Sequence, residues 1–198
     1  MEIIRSRDRC FDDVANYLIT LVSLTTAAEL YVTGKASRYA PNHRVQLDAK
    51  QTSKRLSLYP CNLLNEVFGF RWPSRLAFDE ESVTIPASAV LQLGALERPL
   101  YSLEQSMFVN YFERERPNIE AKFGKNTTAW PDEWNFARVV RNSIAHKNAV
   151  YFRNSSASPV SWRGLTYSPA DNGRRVLNGD LWAADLIYLM MDLDALSR

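Results

Sequence analysis

The sequence is poor in cysteine and histidine, and this scarcity removes several classes of functional site. Its 198 residues include two cysteines, Cys10 and Cys61, and two histidines, His43 and His146. The cysteines are isolated and lack the close spacing of zinc ligands, so we interpret them as reduced thiols of a cytoplasmic protein. Carboxylates alone can bind magnesium, but no glycine-rich phosphate loop accompanies them. We therefore predict neither a metal site nor a cofactor.

Long apolar runs and a strong charge imbalance are also absent. No stretch approaches about 18 uninterrupted apolar residues, so we expect no membrane-spanning helix, and the charged N-terminal segment is unlike a signal peptide. The formal net charge of +2 does not require a polyanionic partner, so nucleic-acid binding would depend on local clustering. Hydrophobic residues make up 46% of the chain, enough for a core. We predict one domain over residues 1–198, with residues 60–98 as an insertion or an irregular cover.

The spacing of the hydrophobic residues predicts a mainly α fold. Apolar residues recur at intervals of three and four over residues 3–33, and Gly34 fits the end of that helix. Pro117 marks the end region of a later helix, and Pro131 suits the first position of the next. The predicted helices cover residues 3–33, 43–58, 100–119, 131–147 and the chain end from about Asp180.

Short extended pieces are predicted between these helices. "ESVTIP", residues 81–86, reads as a strand that ends at its proline. Alternation over residues 160–165, together with the turn-forming Asn172 and Gly173, predicts a hairpin or a small sheet. The predicted fold is therefore a helical bundle with a small β appendage between the helix at 131–147 and the C-terminal helix.

The most basic stretch of the chain lies within residues 43–58. Two interpretations of its cationic side chains are open: a solvated helix face, or a surface that contacts phosphates. The cations concerned are Arg44, Lys50, Lys54 and Arg55.

The stretch "VVRNSIAHKN", residues 139–148, combines apolar and polar residues in one predicted helix. At about 100° per residue the two kinds separate onto opposite faces of that helix. The side chains predicted to face the core are Ala137, Val140 and Ile144. Those predicted to share the face away from the core are Arg138, Arg141, Asn142 and His146.

The polar face has three interpretations. The first is a solvated surface on which His146 favours the negative end of the helix dipole. The second is an interface with a partner. The third is a site in which His146 transfers protons and Arg141 stabilises a phosphoryl transition state. RNA supplies its own nucleophile, the 2′-hydroxyl group, so such a site needs no metal, and Asn142 can hold the imidazole or the substrate by hydrogen bonds.

The motif "RNSIAH" resembles the signature of the HEPN superfamily. In it a polar residue, Asn142, follows Arg141, and His146 lies five residues after the arginine near the end of a helix. The long first helix and the final helix also resemble HEPN architecture. Residues 60–98 and 150–178 have no counterpart in a minimal four-helix HEPN unit.

The resemblance implies a HEPN-like helical bundle that pairs as a homodimer through the motif helix. It implies that Arg141 and His146 are the catalytic pair and that Asn142 orients the site. We add Arg138 and Lys147 as candidate substrate-binding residues on the same helix.

Two functional hypotheses follow from the resemblance. The first is a metal-independent endoribonuclease that cleaves RNA by 2′-hydroxyl attack in a toxin–antitoxin or phage-defence setting, with an antitoxin or regulatory protein as a further partner. The second is an inactive dimer that binds RNA, a nucleotide or a protein. A third interpretation is purely structural, with Arg141 and His146 making intramolecular bonds in a monomer. Some toxins of this superfamily carry a modifiable tyrosine two residues after the histidine. Here that position is Asn148, and Tyr151 lies further on, so we do not expect that modification.

Overall fold

The computed structural model describes residues 2–33, 40–68, 71–92 and 97–197. The chain is mixed α/β, 48% helical and 18% strand. The strands are β1 (Glu2–Arg5), β2 (Val45–Ala49), β3 (Lys54–Leu58), β4 (Arg75–Ser82), β5 (Val160–Trp162) and β6 (Leu165–Tyr167). The helices are α1 (Phe11–Thr33), α2 (Pro60–Phe68), α3 (Glu97–Phe123), α4 (Asp132–Ala145) and α5 (Ala183–Ser197), with short 3-10 turns at Thr127–Ala129 and Pro169–Asp171.

The prediction of a mainly α fold, a HEPN-like helical bundle with a small β appendage, is wrong. The described residues contain a four-stranded antiparallel sheet in the order β1-β4-β3-β2 and a separate β5-β6 pair. The larger error falls on residues 43–58, which form the β2–β3 hairpin instead of a helix. In β2, Leu47 and Ala49 are buried while Gln46 is exposed, so the period is two, as in a strand with one covered face.

The N-terminal prediction of one helix over residues 3–33 is also corrected. Residues Glu2–Arg5 form β1, and Ile4 is buried opposite Leu76 of β4. The helix begins only at Phe11. The predicted stop at Gly34 lies outside the described residues.

Residues 60–98 supply regular structure to this sheet. Their described part contains α2 and β4, and β4 pairs with β1 on one side and β3 on the other. The strand runs over Arg75–Ser82, so the predicted strand at 81–86 is displaced. An inner strand of the sheet therefore comes from this segment, while its status as an insertion stays a prediction.

A buried carboxylate attaches the sheet to α5. Asp185 accepts hydrogen bonds from the backbone N–H groups of Gln51 and Thr52, both at 3.2 Å, and of Trp182 at 3.0 Å. Gln51 and Thr52 form the β2–β3 turn, which is about 130 residues away in sequence. Burial raises the pKa of Asp185 to about 6, although these N–H groups oppose the effect. The turn is thus fixed from a distant part of the chain.

Helix α4, which carries the motif, is held by aromatic contacts on two sides. Trp134 packs on Phe112 of α3 with ring centroids 5.5 Å apart. Phe136 stacks on Tyr167 of β6 at 5.2 Å, with Trp162 of β5 at 5.9 Å. Its buried residues are Trp134, Phe136, Ala137, Val139, Val140 and Ser143. The buried arc is therefore wider than the predicted stripe, in which Ile144 is only half-buried.

The predicted hairpin between α4 and α5 is present. Strands β5 and β6 pair with Trp162 opposite Leu165, so the connection is Arg163 and Gly164. Both have positive φ, 44° and 85°, as a two-residue hairpin turn requires. Gly173 also has a positive φ, but it lies outside this hairpin. Among the described helices, none combines the length and apolar character needed to cross a membrane.

Candidate functional site

The motif histidine lies at the C-terminal cap of α4. Its backbone N–H donates to the carbonyl oxygens of Asn142 at 3.1 Å and Ser143 at 2.9 Å, which closes the last turn. The next two residues, Lys147 and Asn148, have φ of 58° and 63°, so the chain leaves the helix through left-handed backbone. His146 is consequently at the helix end, where its side chain is exposed.

The His146 imidazole has an aromatic neighbour. Its ring stacks on that of Tyr151, with centroids 3.9 Å apart and planes inclined by 25°. Tyr151 is itself 42% exposed, so the stacked pair forms a surface feature. Stacking limits the orientations of the imidazole while its edge stays open to solvent.

Asn148, two residues after the histidine, points inward. Its Nδ2 donates to the carbonyl oxygen of Leu177, and its Oδ1 accepts from the Leu177 N–H, each at 2.7 Å. The backbone oxygen of Asn148 also accepts from the Val176 N–H at 3.1 Å. This buried side chain fixes the path of the turn after His146, and the exposed tyrosine near the histidine is Tyr151.

Arg141 extends from α4 towards α3. Its Nε donates to Oε1 of Glu113 at 2.6 Å, and the two side chains are 35% and 38% exposed. Exposed ion pairs of this kind contribute about 0–1 kcal/mol, so a competing anion can displace the carboxylate. Arg141 and His146 are separated by about 7.5 Å along the helix at 1.5 Å per residue. Arg141 lines the cavity described below, whereas His146 stacks on Tyr151.

A cavity of about 200 Å³ lies between α3 and α4, and it brings three of the predicted site residues together. Arg138, Arg141 and Asn142 line it, together with Arg116 of α3. The remainder of the lining is Phe112, Thr127 and Trp130. His146 and Lys147 are not part of this lining, and both are exposed at the helix end.

Arg138 differs from its arginine neighbours in having an enclosed, unpaired atom. The side chain is half-buried, and its Nε has no hydrogen-bond partner among the described residues. Burial lowers the pKa of Arg138, and no carboxylate of the described residues offsets the effect. Arg116, by contrast, donates to Glu120 at 2.7 Å.

Arg116 and Glu113 were missed by the sequence reasoning. They lie in the charged run "ERER" before Pro117, on a helix predicted only for its apolar face. The charged run is a visible signal, but nothing in it indicates that α3 packs beside the motif helix.

The basic stretch at 43–58 is largely occupied by intramolecular contacts. Lys54 pairs with Glu80, and Arg55 donates to Asp48 at 2.5 Å. Lys50 Nζ donates to the carbonyl oxygens of Ala89 and Gly179 at 2.9 and 3.0 Å, and Arg44 lies over the ring of Tyr59. These contacts favour a structural role for this stretch over phosphate contact.

Comparisons with protein-family models, with curated proteins and with solved structures give no match for this chain. Among the described residues, no cluster of three or more histidine, cysteine or carboxylate side chains is arranged to hold a metal ion.

Proposed function

We propose that this chain is a metal-independent endoribonuclease that cleaves RNA by 2′-hydroxyl attack on the adjacent phosphorus. The supporting observation is the polar end of α4: an exposed imidazole at the helix cap, with two guanidinium groups and an amide within the preceding two turns. The proposal depends on side-chain chemistry and on the resemblance of the motif, and it needs no helical-bundle fold.

His146 is the proposed proton-transfer group. Attack by the 2′-oxygen forms a new bond to phosphorus and breaks the bond to the 5′-oxygen. A base removes the 2′-hydroxyl proton, and an acid protonates the leaving 5′-oxygen, so the products are a 2′,3′-cyclic phosphate and a 5′-hydroxyl group. Its exposure gives His146 access to an RNA strand, and the Tyr151 ring restricts its rotation.

Arg141 is the proposed stabiliser of the negative charge on the reacting phosphate. A guanidinium group presents several donors in one plane and suits the equatorial oxygens of the transition state. Glu113 neutralises Arg141 in the unbound chain and yields to phosphate in this scheme. Asn142, half-buried beside the cavity, is proposed to orient the substrate.

A homodimer through the motif helix completes the proposal. Within one chain Arg141 lines the cavity beside α3 while His146 stacks on Tyr151, so one phosphate is difficult to reach with both. Two copies related by a two-fold axis would present two imidazoles and two guanidinium groups to one strand, one histidine as base and the other as acid. We propose that the dimer acts in the cytoplasm, within a toxin–antitoxin or phage-defence system.

The test compares cleavage of mixed RNAs by the wild-type protein, His146→Ala and His43→Ala, all in EDTA. His43 is the matched control because it is the other histidine of the chain. We expect cleavage by wild type and His43→Ala, products with cyclic phosphate ends, and a loss of about 100-fold or more in His146→Ala. Intact RNA with all three proteins, or equal cleavage by His146→Ala, would refute the proposal.

The Arg141–Glu113 ion pair also fits a second candidate, a binding module without catalysis. A guanidinium held by a carboxylate at 2.6 Å is partly neutralised in the absence of a ligand, which suits reversible binding as well as catalysis. In a bacterial host, growth arrest by wild type but not by Arg141→Ala or His146→Ala would support the nuclease. Equal biological effects of wild type and His146→Ala, with loss in Arg141→Ala, would support the binding module.

A further inference from the structure

The cavity between α3 and α4 carries positive charge from two helices. Arg116 comes from α3, whereas Arg138 and Arg141 come from α4, and all three line the same space. The two other arginines are paired with half-buried carboxylates, Glu120 and Glu113. Arg138 has no such partner among the described residues. The unbalanced positive charge of the cavity is therefore that of Arg138.

A solvent-shielded guanidinium nitrogen without a hydrogen-bond partner is costly unless an acceptor binds to it. Removing a charged donor from water costs free energy that a hydrogen-bond acceptor must recover. The Nε of Arg138 is shielded from solvent and unpaired. An anion in the cavity would supply the missing acceptor, and Arg116 could add charge from α3.

The dimensions of the cavity favour a single phosphate group. Its volume of about 200 Å³ leaves room for a phosphate group. Ligand pockets for whole drug-sized molecules are about 300 Å³ or larger. Phe112 and Trp130 form an apolar side that limits access of water, which strengthens charge interactions inside.

We infer that this cavity is a phosphate-binding subsite in which Arg138 is the principal donor and Arg116 is the auxiliary donor, while Arg141, which lines the same cavity, serves the neighbouring reacting phosphate. Arg138 and His146 are separated by about 12 Å along α4 at 1.5 Å per residue. The group in the cavity is therefore a phosphate other than the one cleaved at His146. That this phosphate belongs to RNA rests on the proposed function. That the cavity binds a phosphate rests on its arginines alone.

The experiment measures binding of a single-stranded DNA oligonucleotide, which lacks the 2′-hydroxyl group and cannot be cleaved by this route. It compares wild type, Arg138→Met, Arg138→Lys and Arg44→Met by fluorescence anisotropy at several salt concentrations. We expect Arg138→Met to weaken binding about tenfold or more and to reduce the salt dependence by about one phosphate contact. Arg138→Lys should recover part of the loss, because lysine keeps the positive charge but lacks the planar pair of donors of a guanidinium group.

Arg44→Met is the matched control, since Arg44 is exposed and lies over Tyr59 beside the sheet. Its affinity should stay within about twofold of wild type. Equal affinities of Arg138→Met and wild type would overturn the inference, as would equal losses in Arg138→Met and Arg44→Met. Thermal unfolding of each variant establishes that a weakened binder is still folded.

The source of the phosphate is distinguished with three further ligands: inorganic phosphate, and the same oligonucleotide with and without a 5′-phosphate. Equal binding of the two oligonucleotides identifies an internal phosphodiester. Tighter binding of the phosphorylated one, together with binding of inorganic phosphate, identifies a terminal phosphate. In both cases the binding must weaken in Arg138→Met.

Failure of this inference is separable from failure of the proposed nuclease. If wild type cleaves RNA and Arg138→Met cleaves it with the same KM, the subsite is refuted while the nuclease stands. If wild type leaves RNA intact but binds the DNA oligonucleotide through Arg138, the nuclease is refuted while the subsite stands.

Discussion

Asp185 of α5 and Arg138 of α4 are both ionisable, but their surroundings are opposite: Asp185 is fully buried and Arg138 is half-buried. Asp185 is saturated by N–H groups from the β2–β3 turn and from the start of its own helix. Arg138 has an enclosed Nε that no described group satisfies. A buried charge whose hydrogen bonds are complete holds the architecture together. A charged group with incomplete hydrogen bonds beside a cavity is suited to bind a ligand there.

The largest effect is expected from Asp185→Ala. The substitution leaves the N–H groups of Gln51, Thr52 and Trp182 without their acceptor, and each orphaned donor costs about 1–3 kcal/mol if water cannot replace it. We expect the free energy of unfolding, measured in urea, to fall by about 3 kcal/mol. Asp185→Asn, which keeps one acceptor oxygen, should lose less. A change below about 0.5 kcal/mol in Asp185→Ala would mean that Asp185 does not hold the β2–β3 turn to α5, and the contrast with Arg138 would be lost.

The second effect is pH-dependent and concerns Glu104. This side chain is 3% exposed, one of its oxygens has no described partner, and burial raises its pKa from 4.5 to about 7 although Tyr17 donates to it. Between about pH 4.5 and pH 7 the folded state binds the Glu104 proton more tightly than the unfolded state does. The free energy of unfolding therefore falls as the pH rises through this window.

Glu104→Gln should remove the contribution of Glu104 to that dependence and leave the contribution of Asp185, whose raised pKa of about 6 acts in the same direction. At pH 8 we expect the variant to be more stable than wild type by about 2 kcal/mol, since the neutral amide avoids the cost of a buried charge. At pH 4 the two should unfold at similar urea concentrations. Greater stability of wild type at pH 8 would mean that the carboxylate is favourably solvated in the folded state, contrary to its burial.

A smaller, opposite-signed effect on stability is expected from Arg138→Met. Methionine keeps most of the packing but removes the unpaired donor, so the free energy of unfolding should rise by about 1 kcal/mol. Added phosphate should stabilise wild type and leave the variant unchanged, because a ligand stabilises only the state that binds it. Loss of stability in Arg138→Met would indicate that Arg138, like Asp185, holds the architecture.

The smallest effect on stability is expected from Glu113→Gln. The ion pair with Arg141 is partly exposed, so its loss should change the free energy of unfolding by less than about 1 kcal/mol. Releasing Arg141 should tighten oligonucleotide binding several-fold. Glu81→Gln, which removes a similar exposed carboxylate from Arg55, is the control and should not change binding. Weaker binding in Glu113→Gln would show that Glu113 positions Arg141 instead of competing for it.

The elements that the sequence predicted well are those with a strong local pattern. Helix α4 was predicted over 131–147 and is found at Asp132–Ala145. The β5–β6 hairpin occurs where alternation indicated it. Helix α3 was predicted from Leu100 to Ile119 and continues past Pro117 to Phe123, since a proline removes one helical hydrogen bond without ending a helix whose other contacts hold it.

The four-stranded sheet was missed because its evidence is mostly non-local. The β2–β3 hairpin has a short alternation, with Leu47 and Ala49 buried, but its charged residues also fit a solvated helix face. Its turn is fixed by Asp185 of α5, which no window around residues 43–58 contains. Strand β1 is four residues long and is defined by pairing with β4. Short strands of this kind gain stability from partners far away in sequence, so local periodicity favours the neighbouring helix instead.

The candidate site was predicted only in part, because some of its residues also come from a distant part of the sequence. Arg138, Arg141 and Asn142 belong to one helix, and the angle of about 100° per residue places them on one face. All three line the cavity. The helical angle could not show that Glu113 holds Arg141, or that Arg116 completes the lining, because both belong to α3. The prediction also treated His146 as helical, whereas it is the cap, beyond which the helical angle no longer applies.

The turn after His146 has a consequence for recognising relatives of this chain. Asn148 combines a φ of 63° with an amide that pairs with both backbone groups of Leu177. Few side chains tolerate that backbone and also offer a donor and an acceptor at such short reach. A search pattern for this kind of site is therefore better written as Arg-Asn-x3-His-x-Asn than as its first six positions. The last asparagine would then mark chains in which the histidine is presented on a turn of this shape.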